Sequence, residues 1–132
     1  MKYFTLNELT HSTTAKNRGI KNIPTDEAKE SLVLLIEKLL DPIREKWGRA
    51  IKVNSGYRNI EVNTLAGGTK NSQHIKGEAA DITSGSKEEN KALFELIKSN
   101  GLDFDQLIDE KNYQWLHVSF KKTGNRKQVL HL

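Results

Sequence analysis

Apolar residues recur at helical spacing through one long stretch: Leu32, Leu35, Ile36, Leu39, Leu40, Ile43 and Trp47. That period places them on one face and predicts the longest helix of the chain, opening at Pro24-Thr25-Asp26-Glu27 and stopping at Gly48. Thr25 is its expected N-cap, and acids fill the first turn, where the helix dipole favours them. Pro42 predicts a kink within it. A second amphipathic helix is expected over Lys87 to Ser99, with Ala92, Leu93, Leu96 and Ile97 inward and Gly101 as its stop. A short helix is expected over Thr5 to Leu9. The polar stretch from Thr10 to Pro24 reads as an irregular arm.

The remaining pattern is one of short strands. Ile51 to Arg58 predicts a strand ending at Gly56, followed by a turn of helix over Asn59 to Leu65 and a flexible loop at Ala66 to Asn71. Glu78 to Thr83 reads as a strand with Gly77 at its entrance. Phe104 to Glu110 and Trp115 to Phe120 read as a hairpin joined by Lys111-Asn112-Tyr113-Gln114. Arg126 to Leu132 is an expected edge strand. The sum is an α+β domain: a small, mostly antiparallel sheet with helices on one face and a metal cleft on the other. At 132 residues the chain is read as one domain, 1–132.

Strand side chains alternate between faces. Leu116, Val118 and Phe120 therefore share one face, and Trp115, His117 and Ser119 the other. In the earlier strand Ala80 and Ile82 oppose Ala79, Asp81 and Thr83. If the two strands pair, Asp81 and His117 fall side by side, and His74 reaches them from the preceding loop. Two neutral imidazoles and a carboxylate are a common set for a catalytic zinc with its fourth position open. His11 and His131 are read as surface or hydrogen-bonded core histidines.

Composition narrows the chemistry. There are no cysteines, so a metal must be held by His, Asp or Glu. The net charge is +4, but Lys and Arg are scattered among acids, which argues against a nucleic-acid surface. No apolar run approaches the ~20 residues of a membrane span. The opening Met1-Lys2-Tyr3-Phe4-Thr5-Leu6-Asn7-Glu8 has no apolar signal region. If the protein acts outside the cytoplasm, something other than its own opening residues is expected to take it there.

Ser72-x-His74-x-x-Gly77-x-Ala79-x-Asp81, followed by Trp115-x-His117-x-Ser119, closely resembles the zinc D-alanyl-D-alanine carboxypeptidases and peptidoglycan L,D-endopeptidases, whose fold is shared with the hedgehog signalling domain. Ser55-Gly56-Tyr57-Arg58-Asn59, Val62-Asn63, Gly67-Gly68 and the opening Phe4-Thr5-Leu6-x-Glu8-Leu9 match as well; that opening is typical of small single-domain phage and bacterial versions. The resemblance implies Zn2+ on His74, Asp81 and His117 and hydrolysis of peptidoglycan stem peptides at the cell wall, by a protein held in the cytoplasm until release or carried by a phage; a monomer is the default expectation. It implies a glutamate base shortly before the last histidine, for which Glu110 is chosen and Asp109 is the runner-up. It also implies that Arg58 grips the substrate or polarises its carbonyl. Gln73 and Ser119 are expected as polar supports of substrate or ligands, with Ser55 and Tyr57 lining the cleft; Tyr57 reads equally as core. Trp115 reads as a buried aromatic before a cleft wall. The dipeptidase branch has a glutamate three residues before its final histidine, where this chain has Gln114. If Gln114 holds the base position, the alternative is a non-catalytic zinc-binding wall or phage structural module of the same fold.

Overall fold

The structure is a computed structural model describing residues 1–132. Helix α1 spans Leu6–Thr10 and opens with a reciprocal capping box between Thr5 and Glu8. The expected irregular arm holds a helix, α2, Thr13–Arg18. Its cap is Ser12, whose hydroxyl accepts from Ala15 N–H, and Gly19 closes it in the left-handed region. Ala15 is its only buried residue, so it carried no apolar period to read. The rest of the arm is pinned by Asn22. Its side chain donates to Thr10 O and Tyr57 O and accepts from Asn59 N–H, holding the backbone on both sides of Arg58.

The long helix is continuous but not uniform. Helix α3, Asp26–Leu35, runs into a π-helical turn, Ile36–Leu40, and then into α4, Asp41–Trp47. Pro42 thus sits in the first turn of α4 rather than at a kink in mid-helix. An α-helical register would drive its ring into the carbonyl four residues back; the wider π turn just before it relieves that clash. Leu32, Leu35, Ile36, Leu39, Leu40 and Ile43 are all buried, as the period required.

The five strands are β1 Lys52–Ser55, β2 Ala79–Thr83, β3 Gln106–Glu110, β4 Trp115–Ser119 and β5 Gln128–His131, ordered β1-β2-β4-β3-β5. All neighbours are antiparallel except β3 and β5, which run parallel. Helix α5, Ile60–Leu65, follows β1, and α6, Lys87–Ser99, follows β2. Ala80, Ile82, Leu107, Leu116 and Val118 join Leu32, Leu35, Leu93, Phe94 and Ile97 in one buried cluster, so the helices cover one face of the sheet. The β3–β4 turn runs through Lys111, Asn112 and Tyr113, all with positive φ. Buried Asn90 of α6 stabilises it by donating to Tyr113 O and Gln114 O. No helix is long and apolar enough to cross a membrane.

Candidate metal centre

The β2–β4 register pairs Asp81 directly with His117, as the alternation required. Both point away from the helices. His74 enters from the loop before β2, and the three residues have donor atoms that all lie within 4.8 Å of one another. Asp81 Oδ1 is 3.4 Å from His74 Nε2 and 3.2 Å from His117 Nδ1. The three residues are only 5%, 8% and 8% exposed, so a ligand reaches them from one side.

Two glycines seat the His74 loop. A Cβ on Gly77 would fall 2.3 Å from Ala28 O at the start of α3, and its φ of +73 suits glycine. A Cβ on Gly56 would fall 2.3 Å from Leu9 O, because Tyr57 N–H donates to that carbonyl. The close approach matters to the site, since Gly56 O lies 2.8 Å from His74 Nδ1. A carbonyl can only accept, so Nδ1 carries the hydrogen and the Nε2 lone pair faces Asp81. On His117 the outer nitrogen, Nε2, lies 3.4 Å from Gln73 Oε1, another acceptor, which leaves Nδ1 facing Asp81.

The donor set therefore fits a divalent cation: two imidazole lone pairs and one carboxylate aimed at a common point, each imidazole held from behind by a carbonyl oxygen. Burial would raise the Asp81 pKa, but with a proton on the facing nitrogens of His117 and His74 their hydrogen bonds and charge hold it well below the usual carboxylate range, and in the neutral tautomers a cation takes the proton's place. It stays an anion, as a metal ligand must.

These residues form one end of a cleft of about 580 Å³. Arg58, Gln73, Glu110 and Trp115 also line it, with Gln106, Ile108, Leu130 and Leu132 along the β3–β5 edge. Arg58 is held in three directions: Nε donates to Ser55 Oγ, Nη1 to Asn63 Oδ1 and Nη2 to Asp81 Oδ2, at 3.0, 3.3 and 3.5 Å. Its own N–H donates to His74 O. Asn63 is buried and also donates to Thr69 O, so it couples Arg58 to the loop over the cleft.

The two acids ending β3 part company. Glu110 pairs with Trp115 in register and lines the cleft. Asp109 is 4% exposed and hydrogen-bonds with His131 on the helix side of the sheet. Gln114 is exposed in the turn and is not part of the cleft lining. Two other residues lie away from the cleft. Tyr57 is buried in the hydrophobic cluster and lines a separate groove of about 740 Å³ that contains none of the three donors. Ser119 is fully buried and its hydroxyl accepts from Gln106 N–H; at the end of β4 it is enclosed between β2 and β3 rather than open to the cleft. Ser55 is outside the cleft lining; it pairs with Asp81 across β1–β2, and its hydroxyl accepts from Arg58 Nε. Trp115 is half-buried at the cleft wall rather than in the core, and its Nε1 is buried without a partner. Asp105 and Arg126 carry no family motif and had no signal in the sequence; both join the site through Gln73.

A sheet face carrying His74, Asp81 and His117, with a carboxylate and a guanidinium in the same cleft, has the donor set that suits zinc. The comparison with known proteins agrees: residues 2–119 match the peptidase M15 family, and the chain belongs to it. Over 49 residues it is 41% identical to the zinc D-Ala-D-Ala carboxypeptidase of Streptomyces albus G. That alignment covers 36% of this chain and 19% of the relative, so the chain spans about a fifth of that protein's length.

Proposed function

We propose that this chain is a one-domain, monomeric zinc peptidase that hydrolyses the stem peptides of peptidoglycan at the cell wall. The observation that carries this reading is the convergence of His74 Nε2, Asp81 Oδ1 and His117 Nδ1 at the end of a cleft that also holds Glu110 and Arg58. When bound by those three residues, zinc supplies Lewis acidity that brings the pKa of a water towards about 7. Glu110 takes a proton from the attacking water and returns it to the departing amine nitrogen. Its carboxylate is half-buried and faces the cleft, a position that suits this exchange. Arg58 orients the substrate. Its fork matches a carbonyl or carboxylate, and its longest contact, to Asp81, leaves one N–H end free to turn towards the ligand. The cleft suits an extended peptide rather than nucleic acid, because its wall is apolar at Ile108, Leu130 and Leu132 and it has no basic track.

The alternative, a zinc-binding module without catalysis, required Gln114 in the base position. An exposed turn residue outside the cleft does not support it. The deciding experiment measures zinc content and digests purified peptidoglycan and synthetic stem peptides, with products identified by mass. Wild type, Glu110→Ala and His117→Ala are compared. Cleavage that needs both residues supports the enzyme; zinc retained by a wild type that cuts nothing supports the module; a wild type without zinc ends both readings.

A further inference from the structure

Asp105 is a fully buried carboxylate that neither faces the cleft nor approaches the three donor atoms. It precedes β3, and its only cation is Arg126, which lies beyond residue 119, where the family match ends. Arg126 grips it fully: backbone N–H and Nε donate to Oδ1 at 3.2 and 2.9 Å, and Nη2 to Oδ2 at 2.7 Å. The remaining partner of Oδ2 is Gln73 Nε2, at 2.8 Å. The other end of that amide, Oε1, faces His117 Nε2.

We propose that the Asp105–Arg126 pair is a positioning device that, through Gln73, selects the ring nitrogen His117 offers to the metal. An ionised carboxylate only accepts, so the Gln73 amide must turn its NH2 end to Asp105 and its oxygen to His117. That oxygen also only accepts, so the hydrogen of neutral His117 sits on Nε2 and the lone pair is left on Nδ1, facing Asp81. The directionality is therefore set at Arg126 and passed through two acceptor choices. The hydrogen bonds from Arg126 hold the Asp105 pKa at about 2, against burial that raises it, so the carboxylate remains an acceptor at any working pH. Had Asp105 been an amide, Gln73 could sit either way round, and His117 could present either nitrogen. Arg126 thus acts on the metal centre without touching it.

This inference rests on the metal reading of His74, Asp81 and His117, and its test reads metal binding rather than peptide cleavage. Zinc affinity of the whole chain is measured by competition with a chromogenic chelator for wild type, Asp105→Asn, Arg126→Ala and Arg126→Lys. Histidine 15N NMR of the zinc-free proteins reads the His117 tautomer. Loss of an outer partner of a ligating histidine costs about 10- to 100-fold in affinity. Asp105→Asn is expected to fall in that range, with Arg126→Ala weaker in effect and Arg126→Lys restoring part of the loss. The wild type is expected to show hydrogen on His117 Nε2, and Asp105→Asn a mixture. Should Asp105→Asn fail to fold, Arg126→Ala decides, because that side chain is 52% exposed. Variants that bind zinc like wild type, with an unchanged tautomer, would overturn the device while leaving the zinc site intact. A wild type that binds no zinc would remove the metal reading and this inference together.

Discussion

Asp81 and His117 face each other across the β2–β4 pair, with Oδ1 and Nδ1 3.2 Å apart and both side chains on the face opposite the helices. Their positions are separated by 36 residues of chain, and only strand pairing brings them into contact. That pair, closed by His74, makes the ligand residues the most sensitive positions in the site. His117→Ala should lower zinc affinity by more than the about 10–100-fold expected of an outer partner. Chelator competition on a variant shown to be folded by circular dichroism checks this.

Glu110 and Asp109 are adjacent but face opposite sides of β3, so their substitutions should separate cleanly. Glu110→Gln should keep zinc and lose about 10²–10⁴ in kcat, the usual share of a general acid–base group. Asp109→Asn should keep its activity and lose stability by about 1–3 kcal/mol, because it weakens a buried acceptor hydrogen-bonded to His131. Steady-state kinetics and denaturant unfolding of the two variants give the comparison; equal activity loss in both would remove Glu110 from its proposed role.

Arg58→Lys tests the fork. A lysine cannot reach Ser55, Asn63 and Asp81 together and still present a planar pair of donors. Lost charge-assisted hydrogen bonds of about 1.5–3 kcal/mol correspond to roughly 10- to 150-fold in kcat/KM on a stem peptide. Zinc content should be unaffected.

Gly56→Ala tests the seat of His74. The new methyl would stand 2.3 Å from a backbone carbonyl, so either α1 or the Gly56 peptide must move. Overpacking of this kind costs about 1–3 kcal/mol. The same movement displaces the oxygen that holds His74 Nδ1–H, so a fall in Tm should come with weaker zinc binding. A Tm loss with unchanged affinity would show the two to be uncoupled.

Asp105 gives a pH signature. Its folded pKa of about 2 lies below its ordinary 3.8, so its contribution to stability is present above 3.8 and is lost as pH falls towards 2. Zinc-free wild type should therefore lose more stability between pH 5 and pH 2 than Asp105→Asn, which has no such group to protonate. Urea unfolding across that range measures the difference in slope.

Much of this was open to reading from residues alone, for a physical reason. The period of Leu32 to Trp47 and the alternation in 79–83 and 115–119 are local consequences of backbone geometry, so they already separated a helix-facing set from His117 and Asp81. The grouping of His74, Asp81 and His117 followed, and with it the family, since Ser72 to Asp81 and Trp115 to Ser119 carry the motif. What pairs with what is a long-range matter. Whether Glu110 or Asp109 faces the cleft depended on the β3–β4 register, and the sinking of Tyr57 and Ser119 depended on how the core packs around Tyr57 and how the start of β3 closes on Ser119. Helix α2 and the π turn were settled by capping and by relief of a proline clash, neither of which leaves an apolar period. The Arg126–Asp105–Gln73 relay joins three segments that have no regularity in common, and nothing short of the folded chain brings them together.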